Sequence, residues 1–567
     1  MPKIEVNETL FFDLVGRRME PDQLEKALTA AKAELDGWDR DGPAGERVIK
    51  IELNDTNRPD LWSTAGLARQ LRVHSGGDIP AYPFFSREGD VREATRRVVV
   101  DASVAAVRPF MAAFVISGKP IDDAMLKDAI QTQEKLCANF GRKRRTVSMG
   151  MYRTALIRWP VAYKAVEPNS ARFVPLQSDE AMDLDRILDV HPKGREYAHI
   201  LKGSPRYPLL TGADGGILSF PPIINSADIG AVQVGDADIL VEFTGRDMQA
   251  VALSASIVAC DFADAGYAIE PVVVDYPFDT PFGRSITFPW YFQEPATVDS
   301  GRVTRLLGDN FGPDAIVKAL ARMGVRSEAH GQYVRAVPPE YRNDFLHAVD
   351  LVEDVMIGHG MDRFAPERPR DFTIGRLTPS EILTRHVRDL LSGLGYQEMI
   401  YNYLGSGRDY IERMNAPGGD VIRISNPMTE NFEYVRPSIL PGLLQSEAVS
   451  SKAPYPHRIF EAGKVAFLDA SQNYGTSTRQ RVGLLSSHPA ADFNEMAGVA
   501  AALLYYLGRE YGVEESDDPR FLPGRQAKLL ADGTVVGAFG ELHPAVLENW
   551  GVTMPCAACE LDLDTLL

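Results

Sequence analysis

Tyr341-Arg-Asn-Asp-Phe-Leu-His-Ala-Val-Asp-Leu-Val-Glu-Asp-Val355 sets four carboxylates into a stretch whose apolar spacing predicts a helix. With Asp344 read as the N-cap, Asp350, Glu353 and Asp354 fall at i, i+3 and i+4 and share one face. Val349, Val352, Val355 and Met356 take the opposite arc and are expected to dock on a core. No Lys or Arg stands at helical spacing to neutralise the acids. Such a face suits a divalent ion, Mg²⁺ for an all-oxygen donor set, or a partner's Arg. A solvated acidic face is the competing reading, and spacing alone leaves both open.

The stretch belongs to a duplication. Leu14-Val-Gly16, Pro21-Asp22 and Lys26-Ala-Leu28 recur as Leu306-Leu-Gly308, Pro313-Asp314 and Lys318-Ala-Leu320, and Arg58-x-Asp60 recurs as Arg342-x-Asp344. In the first copy Gly66, Arg69 and Gln70 stand where the second has Asp350, Glu353 and Asp354. Only the second copy keeps the acids, which favours a function for them. A helix is expected after Glu20, a strand over Val48–Leu53, and a second helix from Asn57-Arg-Pro-Asp60 through Leu71.

At 567 residues the chain has room for about three to five domains. A net charge of −18 argues against a chain-wide nucleic-acid or anionic-membrane surface, so any RNA contact must be local. Met1-Pro-Lys-Ile-Glu-Val begins no long apolar run, and no span of about 20 apolar residues occurs, which reads as a cytoplasmic protein. Cys137, Cys260, Cys556 and Cys559 are too scattered for a disulfide framework. Cys556-Ala-Ala-Cys559 has a redox or half-zinc spacing but no second pair nearby, and it reads as part of a terminal strand.

Between the copies, Arg96–Asp101, Phe110–Ile116, Thr146–Gly150 and Leu240–Thr244 read as strands. Gly141-Arg-Lys-Arg-Arg145 is either a solvated turn or the best local candidate for a phosphate backbone, with His191-Pro-Lys-Gly-Arg-Glu-Tyr197 adding cations and a stacking ring. Polar Ser219, Asn225, Glu242 and Thr244 interrupt apolar runs beside Pro- and Gly-rich loops, and Glu242 and Thr244 share one strand face. They mark a pocket for a polar ligand group or the solvent face of an edge strand. After the linker Pro366-Glu-Arg-Pro-Arg370 come a helix over Ser380–Leu394 and strands at Glu398–Asn402, Arg458–Lys464 and around Gly533 and Gly537, an α+β pattern with a largely antiparallel sheet.

Taken together, Asn57-Arg-Pro-Asp-Leu61, Gly141-Arg-Lys-Arg144, Pro192-Lys-Gly-Arg-Glu-Tyr-Ala198 and Leu218-Ser-Phe-Pro-Pro-Ile-Ile-Asn-Ser226 resemble the beta subunit of phenylalanyl-tRNA synthetase in its shorter archaeal and eukaryotic-cytosolic form. The likeness continues through Asp350-Leu-Val-Glu-Asp354, Asn426-Pro-Met428, Arg436-x-Ser438-x-Leu-Pro-Gly442 and Gly540-Glu-Leu-His-Pro544. It implies an α+β multidomain chain with four parts: a winged-helix-like domain over 1–78, a central mixed α/β editing domain over 79–290, a second winged-helix-like copy with the acidic helix over 291–368, and a class II synthetase-like domain over 369–567 that lacks ATP-binding motifs. Arg525 is the last arginine, leaving the final strand and helix without a phosphate clamp.

The resemblance also implies an (αβ)₂ assembly that charges tRNA(Phe), with ATP, phenylalanine and Mg²⁺ used at the alpha subunit. A metal site near the subunit boundary carries over onto Asp344, Asp350, Glu353 and Asp354. An editing pocket for mischarged Tyr-tRNA(Phe) carries over onto Leu210, Ser219, Asn225, Glu242 and Thr244, where Glu242 replaces the expected Asp. A scaffolding and tRNA-binding subunit with a decayed pocket is the alternative, and a free-standing metal-dependent hydrolase is a weaker third. Arg58 and Asp60 are expected to pair with each other, and DNA binding is not expected.

Overall fold

The computed structural model describes residues 2–54, 57–90, 95–450 and 452–567; of the residues singled out above, only Met1 lies outside them. The duplication is complete at the level of elements. The first copy runs as strand Lys3–Asn7, helices Glu8–Val15 and Pro21–Leu28, strands Ala33–Asp39 and Val48–Leu53, and helix Thr64–His74. The second runs in the same order: Ala296–Asp299, Ser300–Leu307, Pro313–Arg322, Arg326–His330, Tyr333–Val337 and Ala348–His359. In each, the last strand is the middle of three antiparallel strands. The shared Gly and Pro have local causes. Gly16 and Gly308 end the first helices at φ 82° and 74°, and Pro21 and Pro313 open the second helices, where no backbone donor is needed.

The wiring is duplicated too. Arg58 donates two bonds to Asp60, each 2.8 Å, and one of 3.2 Å to Gln70. Arg342, at the matching position, grips Asp344 and Asp354. The copies differ in what covers their last helix. Helix Thr64–His74 is buried almost throughout, with Gly66 so close to the Asp60 carbonyl that a Cβ would sit 1.7 Å from it. Its Arg69 reaches Asp261 and Asp264 at 3.1 and 2.8 Å on helix Met248–Asp264 and stacks 3.9 Å over the Tyr341 ring. Helix Ala348–His359 has its N-cap at His347, three residues later than the expected cap at Asp344. Leu351, Val352 and Val355 are buried, whereas Val349 stays 45 % exposed.

The intervening region forms one ten-stranded sheet. Its path runs from Ile224–Asn225 through Ile217–Phe220, Tyr207–Thr211, Val161–Val166, Arg96–Val100, Ala268–Asp275, Phe110–Ser117 and Ile239–Gly245 to Val147–Arg153, with Ser285–Phe288 pairing to one side. Laid flat, its ends would stand roughly 40 Å apart at the usual strand spacing. Instead Tyr152 Oη, on the last strand, lies 2.8 Å from Ser219 Oγ near the other end. The sheet therefore curls until its two ends meet, and helix Met248–Asp264 packs on the face opposite the Glu242 side chain, where a Cβ on Gly245 would fall 2.5 Å from Val251.

These three regions make one compact unit, residues 1–367, and residues 368–567 make a second. The second is a seven-stranded sheet, antiparallel except where Gln397–Glu398 pairs parallel with His457–Leu468. That short strand is all that forms of the one expected over Glu398–Asn402. Helices Pro379–Gly393 and Phe493–Tyr506 contribute to one hydrophobic cluster of this unit, and Leu440–Val449 and Pro544–Trp550 to another. Cys556 and Cys559 are buried free thiols on the terminal strand. No described helix is long and apolar enough to cross a membrane.

Candidate functional site

Strand Ile239–Gly245 is flanked by Phe110–Ser117 and Val147–Arg153, so both its edges are paired and its side chains project from the two faces of the sheet. The register sets Glu242 opposite Gly150 and Thr244 opposite Ser148. Glu242 is 2 % exposed. A Cβ on Gly150 would fall 2.2 Å from Tyr152 Oη and 2.7 Å from Glu242 Oε1, so only glycine lets that carboxylate and that phenol meet.

Tyr152 Oη lies 2.8 Å from Glu242 Oε1, 2.8 Å from Ser219 Oγ and 3.4 Å from Asn225 Oδ1. Its one proton serves one acceptor at a time, and the carboxylate oxygen is the strongest of the three; the Ser219 hydroxyl then turns its own proton toward the phenol. Glu242 Oε2 is buried and, among the described residues, has no hydrogen-bond partner. Beside this carboxylate lies a cavity of about 300 Å³ lined by Ser219, Asn225, Glu242, Ser148, Met149 and the turn Pro221–Ile224, among others.

Burial pushes the Glu242 carboxyl up to about 7, with the Tyr152 bond and the Arg108 charge opposing it. Its folded value exceeds its unfolded one, so the cost of burying it is absent below the usual carboxylate range and complete above pH 7. Glu242→Gln is therefore expected to stabilise the protein at pH 8, by on the order of 3 kcal/mol if the whole shift is recovered, and to change little at pH 5. Thermal melts at the two pH values check this.

Of the five residues expected in the pocket, Ser219, Asn225 and Glu242 line the cavity. Thr244 does not. It is fully buried, accepting from Arg108 Nε at 3.0 Å and lying 3.1 Å from Ser148 Oγ. Leu210 pairs with Ser219 across the sheet but belongs to the core. Tyr152, Gly150 and Arg108 were not among the expected site residues. Gly150, an isolated glycine inside an apolar strand, was the available signal of a close approach.

Arg108 is fully buried and, among the described residues, has no carboxylate within bonding distance. It donates to Thr244 Oγ1, Thr244 O, Ser148 Oγ and the carbonyls of Arg144 and Arg145. Burial holds it down to about 10. Arg144 is spent within the protein: Nη1 donates to the carbonyls of Pro222 and Ile223 at 2.9 Å each, and its guanidinium stacks 4.2 Å from the Tyr197 ring.

The four acids of the second copy are not gathered around one point. Asp344 and Asp354 share Arg342, which is itself buried; Glu353 pairs with Lys32 at 2.6 Å; and Asp350 accepts from the backbone amides of Leu346 and His347 at 2.8 and 2.6 Å, capping the helix. The cations that helical spacing did not offer come from two residues ahead of Asp344 and from the other repeat. Among the described residues, no cluster of three or more His, Cys, Asp or Glu is arranged to hold a metal. As placed, this donor set does not fit a single ion. Chelator is accordingly expected to leave the melting midpoint of the chain unchanged, and a fall in the midpoint that Mg²⁺ restores would contradict the pairing described here.

The sequence matches two family models, "tRNA synthetase B5 domain" over residues 296–361 and "Phenylalanyl tRNA synthetase beta chain CLM domain" over 367–563. It is 48 % identical to the phenylalanine–tRNA ligase beta subunit of Treponema pallidum and 46 % identical to that of Borreliella burgdorferi, in both cases over the whole of each chain. A solved N-terminal fragment of the phenylalanyl-tRNA synthetase beta subunit from Pyrococcus horikoshii is 33 % identical, with a TM-score of 0.58, and covers 63 % of this chain and 100 % of the fragment. The full-length relatives are bacterial and do not support the archaeal and eukaryotic-cytosolic type. With relatives this similar along its entire length, the chain belongs to the beta subunits of phenylalanine–tRNA ligase, an aminoacyl-tRNA synthetase.

Proposed function

We propose that this chain works in the cytoplasm with an alpha subunit, as an (αβ)₂ tetramer that charges tRNA(Phe), and that its own chemistry is the hydrolysis of mischarged Tyr-tRNA(Phe) in the cavity beside Glu242. ATP and Mg²⁺ are used at the alpha subunit. The repeated units serve as winged-helix-like modules, the central sheet as the editing domain, and residues 368–567 as a class II synthetase-like domain without synthetic chemistry.

One observation carries the editing reading: Glu242 has one oxygen held by Tyr152 and the other buried without a partner beside a cavity. An apolar synthetic pocket rejects an added hydroxyl only about a hundredfold. A second pocket that rewards the hydroxyl reverses the preference. The tyrosine phenol would donate to Glu242 Oε2, whereas phenylalanine would leave that oxygen buried and unpaired. The residues named here act by binding and orienting, and the hydrolytic water is placed by the RNA and by backbone groups around the cavity. The test is deacylation of Tyr-tRNA(Phe) against Phe-tRNA(Phe) by the complete complex. Tyrosine-selective hydrolysis is expected; charging without it would make this chain a scaffold with a decayed pocket.

A further inference from the structure

The loop 141–145 has a second side. Arg142, Lys143 and Arg144 hold three successive left-handed conformations, at φ 48°, 54° and 65°. Non-glycine residues in that region cost about 1 kcal/mol or more each, and persist only where the surroundings fix them. Here Arg108 holds the carbonyls of Arg144 and Arg145, while Arg144 holds the cavity turn at Pro222 and Ile223. With the Arg144 side chain turned inward, Arg142, Lys143 and Arg145 are exposed on the other side of the loop.

There they line a cleft of about 1560 Å³ together with Arg246 and His199. The cleft carries four permanent cations and one carboxylate, Asp247, on a chain whose net charge is −18. Asp247 caps helix Met248–Asp264 through the amide of Ala250 at 2.8 Å. Among the described residues none of the four cations has a carboxylate partner, although acids outnumber bases in this chain, 78 to 60. A concave surface that keeps its cations unpaired against that excess is built for an anionic partner.

We infer that this cleft grips the phosphate backbone of the single-stranded acceptor end of tRNA, through Arg142, Lys143, Arg145 and Arg246. The inference rests on the editing reading for its choice of RNA. An amino acid in the cavity is esterified to the last nucleotide, so the preceding phosphates must lie within a few residues of the cavity wall. The loop joins the two places: one side chain forms the wall, and its immediate neighbours face the cleft. The braced left-handed turn fixes the spacing between phosphate grip and pocket.

The test uses the complete complex carrying R142Q/K143Q/R145Q, with Tyr-tRNA(Phe) as substrate. Three lost phosphate contacts should raise the KM for deacylation about tenfold or more and reduce the log–log salt slope by about two, with kcat within about twofold and the melting midpoint unchanged. R142K/R145K should retain wild-type KM. An unchanged KM and salt slope in a complex that deacylates would overturn the inference. If the wild-type complex does not deacylate at all, the editing reading falls instead, and hydroxyl-radical footprinting of tRNA(Phe) decides this one. Acceptor-strand protection that the triple variant loses supports the cleft, and protection that is absent or unaltered refutes it.

Discussion

Replacing Glu242 by Ala should cut the preference for Tyr-tRNA(Phe) over Phe-tRNA(Phe) in deacylation by about a hundredfold, since a hydrogen bond to a charged acceptor is worth about 1.5–3 kcal/mol. The loss should fall on tyrosine, because phenylalanine never uses Oε2. Glu242→Gln should be intermediate, keeping an amide oxygen but losing the charge. The carboxyl titrates near pH 7, so in the wild type the preference should grow between pH 6 and pH 8 as the ionised form fills, and the Gln variant should lack that rise. Rates of release from the two charged tRNAs, measured across that range for all three proteins, decide the matter. A ratio that is the same in all three would mean that this carboxylate does not read the hydroxyl.

Arg342→Ala should destabilise the first unit by about 3–5 kcal/mol. Arg342 is 2 % exposed, and its guanidinium binds Asp344 through Nε and Nη2 at 2.9 and 2.5 Å and Asp354 through Nη1 at 2.6 Å, and lies 4.3 Å over the Phe345 ring. Removing it strands two mostly buried carboxylates. In the wild type, Arg342 holds Asp344 below its usual value against the pull of burial, so this pair stabilises above the unfolded carboxylate range and is lost as pH falls. Asp354 is already raised by burial in the wild type. In the variant burial, opposed by the more distant Arg58 charge, raises Asp344 as well and Asp354 further, which reverses the sign: the defect should be greatest at pH 8 and shrink toward pH 5. Melts at both pH values separate this from a plain packing loss, which would be the same at each. Arg342→Lys should recover little, because one ammonium cannot reproduce the fork that spans two carboxylates.

Both predictions depend on partners that local pattern did not supply. The strand carrying Glu242, the turn chemistry at Gly16 and Gly308, and the two repeats could all be read from apolar spacing and punctuation, because those are decided within a few residues. Ser219, Asn225 and Glu242 were found as polar breaks in apolar runs. Tyr152 was not, since its hydroxyl matters only once nine strands have curled far enough to bring the two ends of the path together. Thr244 shares a face with Glu242 as period-two alternation requires, but the buried Arg108 occupies the space next to it. The acidic helix failed in the same way. Its i, i+3, i+4 spacing is real, yet Asp354 faces inward to Arg342 and Glu353 outward to Lys32, 321 residues away along the chain. Helical spacing ranks neighbours on one cylinder and is silent about a second cylinder laid against it.

That separation also bears on how the protein is made. Lys32 and Arg69 find their acids at Glu353 and at Asp261 and Asp264, so the amino-terminal repeat emerges from the ribosome with its buried cation and much of its last helix unmatched. At about 5–20 residues per second, Lys32 waits roughly 15–60 s for Glu353 to be synthesised. Throughout that interval the nascent repeat exposes the face that the central region will later cover, and it is the first part of the chain that a chaperone would have reason to hold.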